Sequence, residues 1–389
     1  MRHQATVLEQ TVEHFCWDRF DRLVRQHRAD EAQRGFTSRH QFFALLAEAL
    51  GGHGGLRKLV ASLAPNSGAL RLLGGKAPAR STLSDAMRNR PAALFYDLFQ
   101  ALLCHASYRK MRQSLREAVR LIDATHLDLG QRMKRWFGLL KGHVAAKLHV
   151  VFDPAAQRPV YFALTKAWIN DNTAAKCLLP IEPGATYVFD LGYYDFAWWA
   201  RLAERGCTFV TRLKSNTILR DTEQRDVAPG GTVLDDKVGY LPERLAGSRH
   251  NPFDRQGREI TIRIDSGKIL RLFTNDLTSP AEQIAALYKE RWQIELFFRW
   301  IKQNLRISKF IGTSENAIRT QIAVALIAYL LVRLVQTAQD KPYAASNVLT
   351  IIRTHLFVRR PLAEMLDPTR KPPPKRIGPA AQLSLPECN

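Results

Sequence analysis

The stretch Val119-Arg-Leu-Ile-Asp-Ala-Thr-His-Leu-Asp128 decides the fold, because it opens a series of segments with the composition of β-strands. Two further strand segments follow it directly, and two more alternate with helical segments. These predicted strands cover residues 143–152, 159–164, 185–190 and 207–213, and the predicted helices cover residues 172–180 and 194–204. The order β-β-β-α-β-α-β predicts a mixed sheet that is flanked by helices.

This strand order is that of ribonuclease-H-like domains, so we expect an α/β catalytic domain of that class over residues 115–340. Within it, residues 216–275 break the pattern. Ile260, Ile262 and Ile264 alternate with polar residues and precede an Asp-Ser-Gly turn, which is typical of a β-hairpin. These residues are therefore predicted to form a β-rich insertion between the sheet and the helices that follow.

Residues 1–105 are predicted to form an all-α N-terminal domain, and residues 341–389 a C-terminal helix and a basic, proline-rich tail. Possible caps at Ser38 and Thr82 open helices in the N-terminal domain. Basic residues between these helices favour DNA binding, and the alternative is a packing domain with a solvated basic face. The basic residues concerned are Arg57, Lys58, Lys76, Arg80, Arg88 and Arg90.

The charge of the chain indicates a polyanionic partner. Its 389 residues include 57 Lys and Arg against 36 Asp and Glu, which gives a formal net charge of +21. Such a chain attracts phosphates and releases their counterions, so nucleic acid is expected ahead of a ribosomal or membrane surface. A hydrophobic content of 46% excludes a disordered chain. The most apolar segment, residues 322–332, is shorter than the roughly 20 residues of a membrane span and is predicted to be a buried helix.

The cysteines are widely spaced and form no CxxC pair. We therefore expect reduced, mostly buried thiols in a cytosolic protein, without a disulfide or a structural zinc. They are Cys16, Cys104, Cys177, Cys207 and Cys388. His143 and His149 lack a third ligand at a suitable spacing, so they are predicted to be ordinary strand residues.

The helical segment 288–302 carries an unusual polar stripe. Its members recur every three or four residues and share one helix face: Tyr288, Arg291, Glu295, Phe298 and Lys302. A stripe that faces a core would be apolar, whereas this one has a carboxylate between two cations. A solvated ion-pair face is the alternative. A neighbouring apolar stripe argues against it and predicts that the polar stripe lies beside the core, at the edge of a site.

Two aspartates complete a set of three acids. Asp123 and Asp190 each follow apolar residues of a predicted strand, where α/β sheets place ligands, although a lone Asp there is also a common turn former. Because the first and fourth strands are neighbours in this fold, we expect the two carboxylates to converge. Three carboxylates can bind two Mg²⁺ ions roughly 3.5–4 Å apart, which activate the attacking oxygen and stabilise the leaving one.

The spacing Tyr288-x-x-Arg291-x-x-x-Glu295-x-x-x-x-x-x-Lys302 resembles the YREK signature of bacterial DDE transposases of the insertion-sequence-four group. The segments Asp123-Ala-Thr-His and Val188-Phe-Asp-Leu-Gly-Tyr-Tyr-Asp195 resemble the regions around the first and second catalytic aspartates of that family. The N-terminal helical region is similar as well, so the resemblance covers nearly the whole chain.

The resemblance implies cut-and-paste transposition: the enzyme nicks the transposon end, forms and opens a hairpin, and joins the excised end to target DNA. It implies three ligands of two Mg²⁺ ions (or Mn²⁺), which are Asp123, Asp190 and Glu295. It also implies three phosphate contacts, which are Tyr288, Arg291 and Lys302. The implied partners are double-stranded DNA (terminal inverted repeats and target) and a second copy in a synaptic homodimer. We expect a bacterial, cytoplasmic, nucleoid-associated protein without a membrane partner.

Some assignments stay open. Asp128 and Asp195 are alternatives to the two preferred aspartates, which follow the apolar strand residues directly. Family members hold a flipped base with a tryptophan near the second aspartate, and Trp198 and Trp199 are candidates for that role.

An active transposase is also to be distinguished from two other functions. A catalytically inactive, transposase-derived DNA-binding protein would bind transposon ends without cutting them. A ribonuclease-H-like nuclease would hydrolyse DNA without joining it. The complete set of three acids and the YREK residues favours the active enzyme.

Overall fold

The computed structural model describes residues 5–367, except for residues 14, 32, 34, 105–117, 141, 245–248, 306, 308 and 339–342 and the side chain of Arg132. The predicted basic tail lies outside the described residues.

One mixed ten-stranded sheet forms the centre of the described structure. Its strands are β1 (Val119–Asp128), β2 (Leu139–Leu140), β3 (His143–Asp153), β4 (Arg158–Lys166), β5 (Thr186–Val188), β6 (Thr208–Arg212), β7 (Arg220–Gln224), β8 (Val233–Tyr240), β9 (Gln256–Arg263) and β10 (Ile269–Thr274). The order across the sheet is β4-β3-β1-β5-β6-β10-β9-β8-β7, and the short β2 also pairs with β3.

Apart from the two-residue β2, the first five strands along the chain have the predicted arrangement. β1 pairs antiparallel with β3 and parallel with β5, so the first and fourth predicted strands are neighbours. β5 in turn pairs parallel with β6. Apolar residues cover both faces of this part of the sheet, which is why the strands read as nearly continuous hydrophobic runs. The order confirms the ribonuclease-H-like α/β class.

The β-rich insertion continues the same sheet. β10 pairs antiparallel with β6, and β9, β8 and β7 follow outward. The predicted hairpin is the β9–β10 pair, and Gly267 supplies the positive φ of 81° that its turn requires. The insertion therefore lengthens the central sheet on the side away from β4.

The helices before the sheet in the described residues are α1 (Val7–Thr11), α2 (Trp17–Gln26), α3 (Ser38–Gly51), α4 (Leu56–Leu63), α5 (Ser67–Leu72), α6 (Arg80–Asn89) and α7 (Ala93–Leu103). Two predicted caps were wrong, by one residue at α3 and by three residues at α6, where Ala79 is the N-cap. Helix α3 is capped by Thr37, whose N–H donates to His40 Nδ1, and the Ser38 hydroxyl donates instead to Asp30. Helix α6 starts at Arg80, so Thr82 lies inside it.

The later helices are α8 (Lys134–Phe137), α9 (Asp171–Leu178), α10 (Phe196–Glu204), α11 (Ala281–Glu290), α12 (Trp292–Asn304), α13 (Glu315–Thr337), α14 (Ala345–His355) and α15 (Leu362–Met365). Helix α13 is long and apolar enough to cross a membrane by length and composition, but 83% of its most apolar window is buried inside the protein. It packs against α3, α6, α7 and α14, which confirms the predicted buried helix. The N-terminal helices and the sheet thus share one core, and the proposed domain boundaries remain a prediction.

The segment with the polar stripe is two helices rather than one. Helix α11 ends at Glu290 and helix α12 begins at Trp292. The N–H groups of Arg291 and Ile294 donate to carbonyls only three residues back, at 3.2 Å each. This is a 3₁₀-type turn, which tightens the chain at the residue that carries the guanidinium.

Two other predictions need correction. Among the described cysteines only Cys207 is buried, whereas Cys16, Cys104 and Cys177 are exposed; all four are free. The prediction of mostly buried thiols was therefore wrong, and Cys388 lies outside the described residues.

One of the basic residues expected at DNA is also misassigned. Arg90 is 4% exposed and donates to the Thr37 carbonyl and to Gln41 Oε1, both at 3.1 Å. It holds the start of α3, so it cannot belong to a DNA-contacting surface. The others are not buried, and their contact with DNA stays a prediction: Arg57, Lys58, Lys76, Arg80 and Arg88.

Candidate active site

Asp123 and Asp190 lie at the same level on neighbouring strands. Leu121 and Val188 are partners in the parallel β1–β5 pair, and each aspartate comes two residues later. Because β5 ends at Val188, Asp190 stands at the carboxyl end of its strand, beside the middle of the longer β1. The strand order thus brings together two acids that are 67 residues apart in the chain.

Local backbone groups hold both carboxylates. Oδ1 of Asp123 accepts a hydrogen bond from the Ala124 N–H at 2.7 Å. Oδ1 of Asp190 accepts one from the Gly192 N–H at 2.8 Å, because Asp190 caps a 3₁₀ turn, Leu191–Tyr193. Each acid is therefore oriented by the residues that follow it.

Arg291 links Glu295 to Asp123. Its Nη2 lies 2.6 Å from Glu295 Oε1, and its Nη1 lies 3.7 Å from Asp123 Oδ2. The Nε of Arg291 is buried and has no hydrogen-bond partner among the described residues. The guanidinium is thus a counter-charge between two acids and keeps one donor unused.

The three acids are close enough to influence one another. Burial raises the pKa of Asp123 to about 7, and the charges of Asp190 and Glu295 add to this rise. The Ala124 amide and the Arg291 guanidinium oppose it. A group of crowded, partly buried acids is typical of functional sites. A bound cation would relieve the repulsion between the carboxylates.

Tyr288 lies beside this group. It is 8% exposed, and the guanidinium carbon of Arg291 is 5.8 Å from the centre of its ring. Burial raises the pKa of Tyr288, the charges of Arg291 and Arg212 lower it, and that of Asp190 raises it. The structure therefore brings Tyr288, Arg291 and the three acids together.

Lys302 stands apart from them. Burial lowers the pKa of Lys302, and the carboxylate of Asp128 acts in the opposite direction. Asp128 is exposed at the end of β1, five residues beyond Asp123. At about 3.3 Å a residue, that is roughly 16 Å along the strand. Lys302 and Asp128 thus lie beyond the acid group, on the extension of β1.

Asp195 has a structural role. It caps helix α10, with its Oδ1 accepting a hydrogen bond from the Trp198 N–H at 2.9 Å, and it forms an ion pair with Lys176. These contacts explain why an acid stands at position 195. They favour Asp190, rather than Asp195, as the second acid of the site.

Trp198 and Trp199 do not face the site. They are 1% and 0% exposed and pack in the aromatic core beneath the sheet, against Phe189 and Phe209. Because both rings are enclosed in this core, neither candidate is exposed to hold a flipped base. Three described tryptophans are exposed, Trp136, Trp168 and Trp292, and of these Trp292 directly follows Arg291, a position that composition did not single out.

Sequence reasoning missed a polar group on the other side of Asp190. Asp171 opens helix α9 and forms an ion pair with Lys147, Nζ to Oδ1 3.1 Å. His149 is fully buried and lies 3.7 Å from the same oxygen, and burial lowers its pKa to about 4, so it is neutral. Tyr193 is 1% exposed, and its hydroxyl has no hydrogen-bond partner in the described structure.

These residues fit a divalent cation that prefers oxygen ligands. Carboxylates are the side chains that Mg²⁺ and Mn²⁺ select, and an unpaired buried hydroxyl lies among them. Over the described part of the chain, no three acidic, histidine or cysteine side chains stand close enough together to hold a metal ion as they are arranged. Glu295, which pairs with Arg291, would have to exchange that partner for the cation.

Comparisons with known proteins show the family of the chain. Residues 114–331 match the family described as transposase DDE domain, and residues 3–76 match a domain of unknown function, DUF4372. The chain is 38% identical over 304 residues to "Putative transposase y4zB" of Sinorhizobium fredii, which covers 76% of this chain and 82% of that protein. It is 46% identical over 257 residues to "Putative transposase for insertion sequence element IS4SA" of Synechocystis sp., with coverage of 65% and 71%.

Among solved structures, the piggyBac transposase synaptic complex with hairpin DNA aligns with 93% of this chain and 80% of that chain. The TM-score of this alignment is 0.42 and the sequence identity is 10%. An inactive DNA-binding protein finds no support in any of these comparisons. The DDE match spans more than half of the sequence and includes all three acids, and the chain therefore belongs to the DDE transposase family of insertion sequences.

Proposed function

We propose that Asp123, Asp190 and Glu295 are the catalytic acids of this DNA transposase and bind two Mg²⁺ ions, for which Mn²⁺ can substitute. Dependence on divalent cations goes with the DDE family in general. The observation that carries the assignment is the Arg291 guanidinium, which joins Glu295 on α12 to Asp123 on β1, next to Asp190.

When bound, the ions activate the attacking oxygen and stabilise the leaving oxygen of the phosphodiester. The chain itself supplies orientation. The amides of Ala124 and Gly192 keep Asp123 and Asp190 in fixed directions. Arg291 no longer has to balance Asp123 and Glu295 once those acids are neutralised, and its guanidinium can then donate to a phosphate.

Tyr288 and Lys302 are proposed to contact phosphates at different distances from the cut. Tyr288 adjoins Arg291 and is suited to the scissile region. Lys302 lies near Asp128 at the end of β1 and is suited to a phosphate further along the DNA. With these contacts we propose the hairpin route of cut-and-paste transposition, in which the freed 3′-OH attacks the opposite strand.

The test is cleavage and strand transfer of a labelled DNA that carries the inverted repeats flanking the gene. Replacing each acid by its amide (D123N, D190N, E295Q) should lower the rate by about 10³-fold, as expected when a metal ligand is lost. D128N and E290Q are matched controls, because these two acids are exposed, on β1 and at the end of α11. Wild-type rates in any of the three acid variants would refute the assignment.

We also propose that two copies synapse two transposon ends in the cytoplasm, at the nucleoid. The high positive charge of the chain supports nucleoid association. Sizing of a paired-end complex by light scattering should give two chains for two ends, and one chain for two ends would contradict the homodimer.

A further inference from the structure

Asp171 and Asp190 approach each other on either side of Gly192. A Cβ atom at Gly192 would lie 2.9 Å from Asp190 Oδ1 and 3.2 Å from Asp171 Oδ2. The two carboxylate oxygens therefore cannot be farther apart than the sum of these distances. Because like charges repel at this range, the pair needs positive charge nearby.

Lys147 supplies a positive charge to Asp171. Its Nζ donates to Asp171 Oδ1 at 3.1 Å and to the Ile169 carbonyl at 3.1 Å. The second oxygen of Asp171, Oδ2, is the one that adjoins Gly192 and thus points toward the catalytic side. Asp171 is therefore anchored through one oxygen and offers the other to the site.

Tyr193 adds an independent observation. Its side chain is 1% exposed, yet its hydroxyl has no hydrogen-bond partner among the described residues. Three carboxylates lie near enough for their charges to be felt at this hydroxyl: Asp171, Asp123 and Asp190. A buried hydroxyl without a partner is unfavourable, and native proteins keep one where a ligand or a water completes it.

We propose that Asp171 and Tyr193 form an outer layer of the metal site, in which they hold water molecules of the hydrated cation bound by Asp123 and Asp190. The proposal rests on the proposed function above. Both are positioning residues, because they act through bound water. Mg²⁺ keeps several waters when few carboxylates bind it, and outer-layer partners typically change metal affinity by about 10–100-fold.

The test is direct binding of Mn²⁺ to the metal-free full-length chain. Binding is monitored through the electron paramagnetic resonance signal of the free ion. Asp171→Asn should weaken Mn²⁺ binding by about tenfold or more. Tyr193→Phe should weaken it by a smaller factor and raise the melting temperature of the metal-free protein by about 1–3 °C, because the unpaired hydroxyl is gone. A merely structural tyrosine would not give these opposite signs.

Asp195→Asn is the matched control. Asp195 also pairs with a lysine at the start of a helix, and its side chain is 23% exposed, against 25% for Asp171. Asn caps a helix as well as Asp does, so this variant removes a nearby charge while it keeps the cap. It should leave Mn²⁺ binding within about twofold of the wild type, since the larger losses of affinity require contact with the ligands or waters of the bound ion.

Asp190→Asn separates failure of this inference from failure of the proposed function. If Mn²⁺ does not bind to the wild type, or if Asp190→Asn binds Mn²⁺ as the wild type does, the assignment of the metal ligands is wrong. If Asp190→Asn abolishes binding while Asp171→Asn and Tyr193→Phe bind like the wild type, only the outer layer is wrong. If Asp171→Asn and Asp195→Asn weaken Mn²⁺ binding equally, the effect is one of general electrostatics, and the proposed outer layer is also overturned.

Discussion

At the scale of the residue, Asp123 links the electrostatics of the site to pH. Its folded-state pKa of about 7 lies above the ordinary value of 3.8, mainly because of burial. In the metal-free protein, its contribution to stability is therefore fully present below pH 3.8 and is lost as the pH rises through 7.

This gives a prediction for metal-free protein in EDTA. Between pH 8 and pH 5, the free energy of unfolding of the wild type should rise by roughly 2 kcal/mol relative to that of Asp123→Asn, which cannot ionise. Urea melts of both proteins at each pH measure the difference. A gap that stays constant with pH would mean that Asp123 is already ionised throughout this range.

Gly192 is the residue where a single methyl group tests the geometry. In Gly192→Ala the new Cβ would meet Asp190 Oδ1 at 2.9 Å, so the carboxylate must turn away. Cleavage should fall by roughly tenfold or more, because small displacements of catalytic groups are costly, while stability changes by less than about 1 kcal/mol. Gly130→Ala, where a Cβ meets nothing within 4 Å, is the control and should cleave normally. Unchanged cleavage by Gly192→Ala would contradict the role of this approach.

The sequence could predict some site residues and not others. Glu295 belongs to a spaced pattern on one helical segment, so its neighbours Tyr288 and Arg291 follow from helix geometry. Asp171 adjoins the acids only through the folded chain, and no spacing reveals that contact. Tyr193 is three residues from Asp190 in the sequence, but the burial of its hydroxyl without a hydrogen-bond partner among the described residues follows only from the fold. Trp198 sits near Asp190 in the sequence, but helix α10 turns it into the core, and burial is decided by packing.

At the scale of the element, the predicted strands and their neighbours were correct because their apolar runs are bounded by clear turns. The 3₁₀ turn at Arg291 could not be predicted, since its residues are good helix formers and its dihedrals stay helical. The joining of β10 to β6 was also not predictable, because hairpin signals specify local pairing only.

The position of Lys302 on helix α12 gives a prediction that separates DNA binding from catalysis. It lies beyond the acid group, near Asp128. Lys302→Ala should weaken binding of DNA ends and lower the slope of log affinity against log salt by about 1, with Mn²⁺ affinity unchanged. Lys289→Ala is the control, since Lys289 is exposed and paired with Asp265 at 3.1 Å. A salt slope equal to that of the wild type would exclude a phosphate contact at Lys302.

At the scale of the whole molecule, helix α13 joins the N-terminal helices to the catalytic sheet. Asn316 at its start accepts from the Ala92 N–H at 3.0 Å and donates to the carbonyls of Met87 and Arg90. Helix α13 packs against the N-terminal helices α3 and α7, and also against β4 and α12. The sequence predicts the N-terminal helices as a separate domain. In the structure they cover an apolar face of α13, which would otherwise be exposed to water.

Full-length protein should therefore unfold in one calorimetric transition, and a chain that lacks residues 1–105 should aggregate because one face of α13 is uncovered.

The same coupling makes Asn316→Ala costly: its loss leaves buried carbonyls and an amide without partners and should lower the stability of the whole chain by about 1–3 kcal/mol. Glu315→Ala is the neighbouring control, because its ion pair with Arg319 is at the surface, with both side chains more than a third exposed, and contributes about 0–1 kcal/mol. Two separate transitions, with only the first shifted by Asn316→Ala, would show that the N-terminal helices fold as an independent unit.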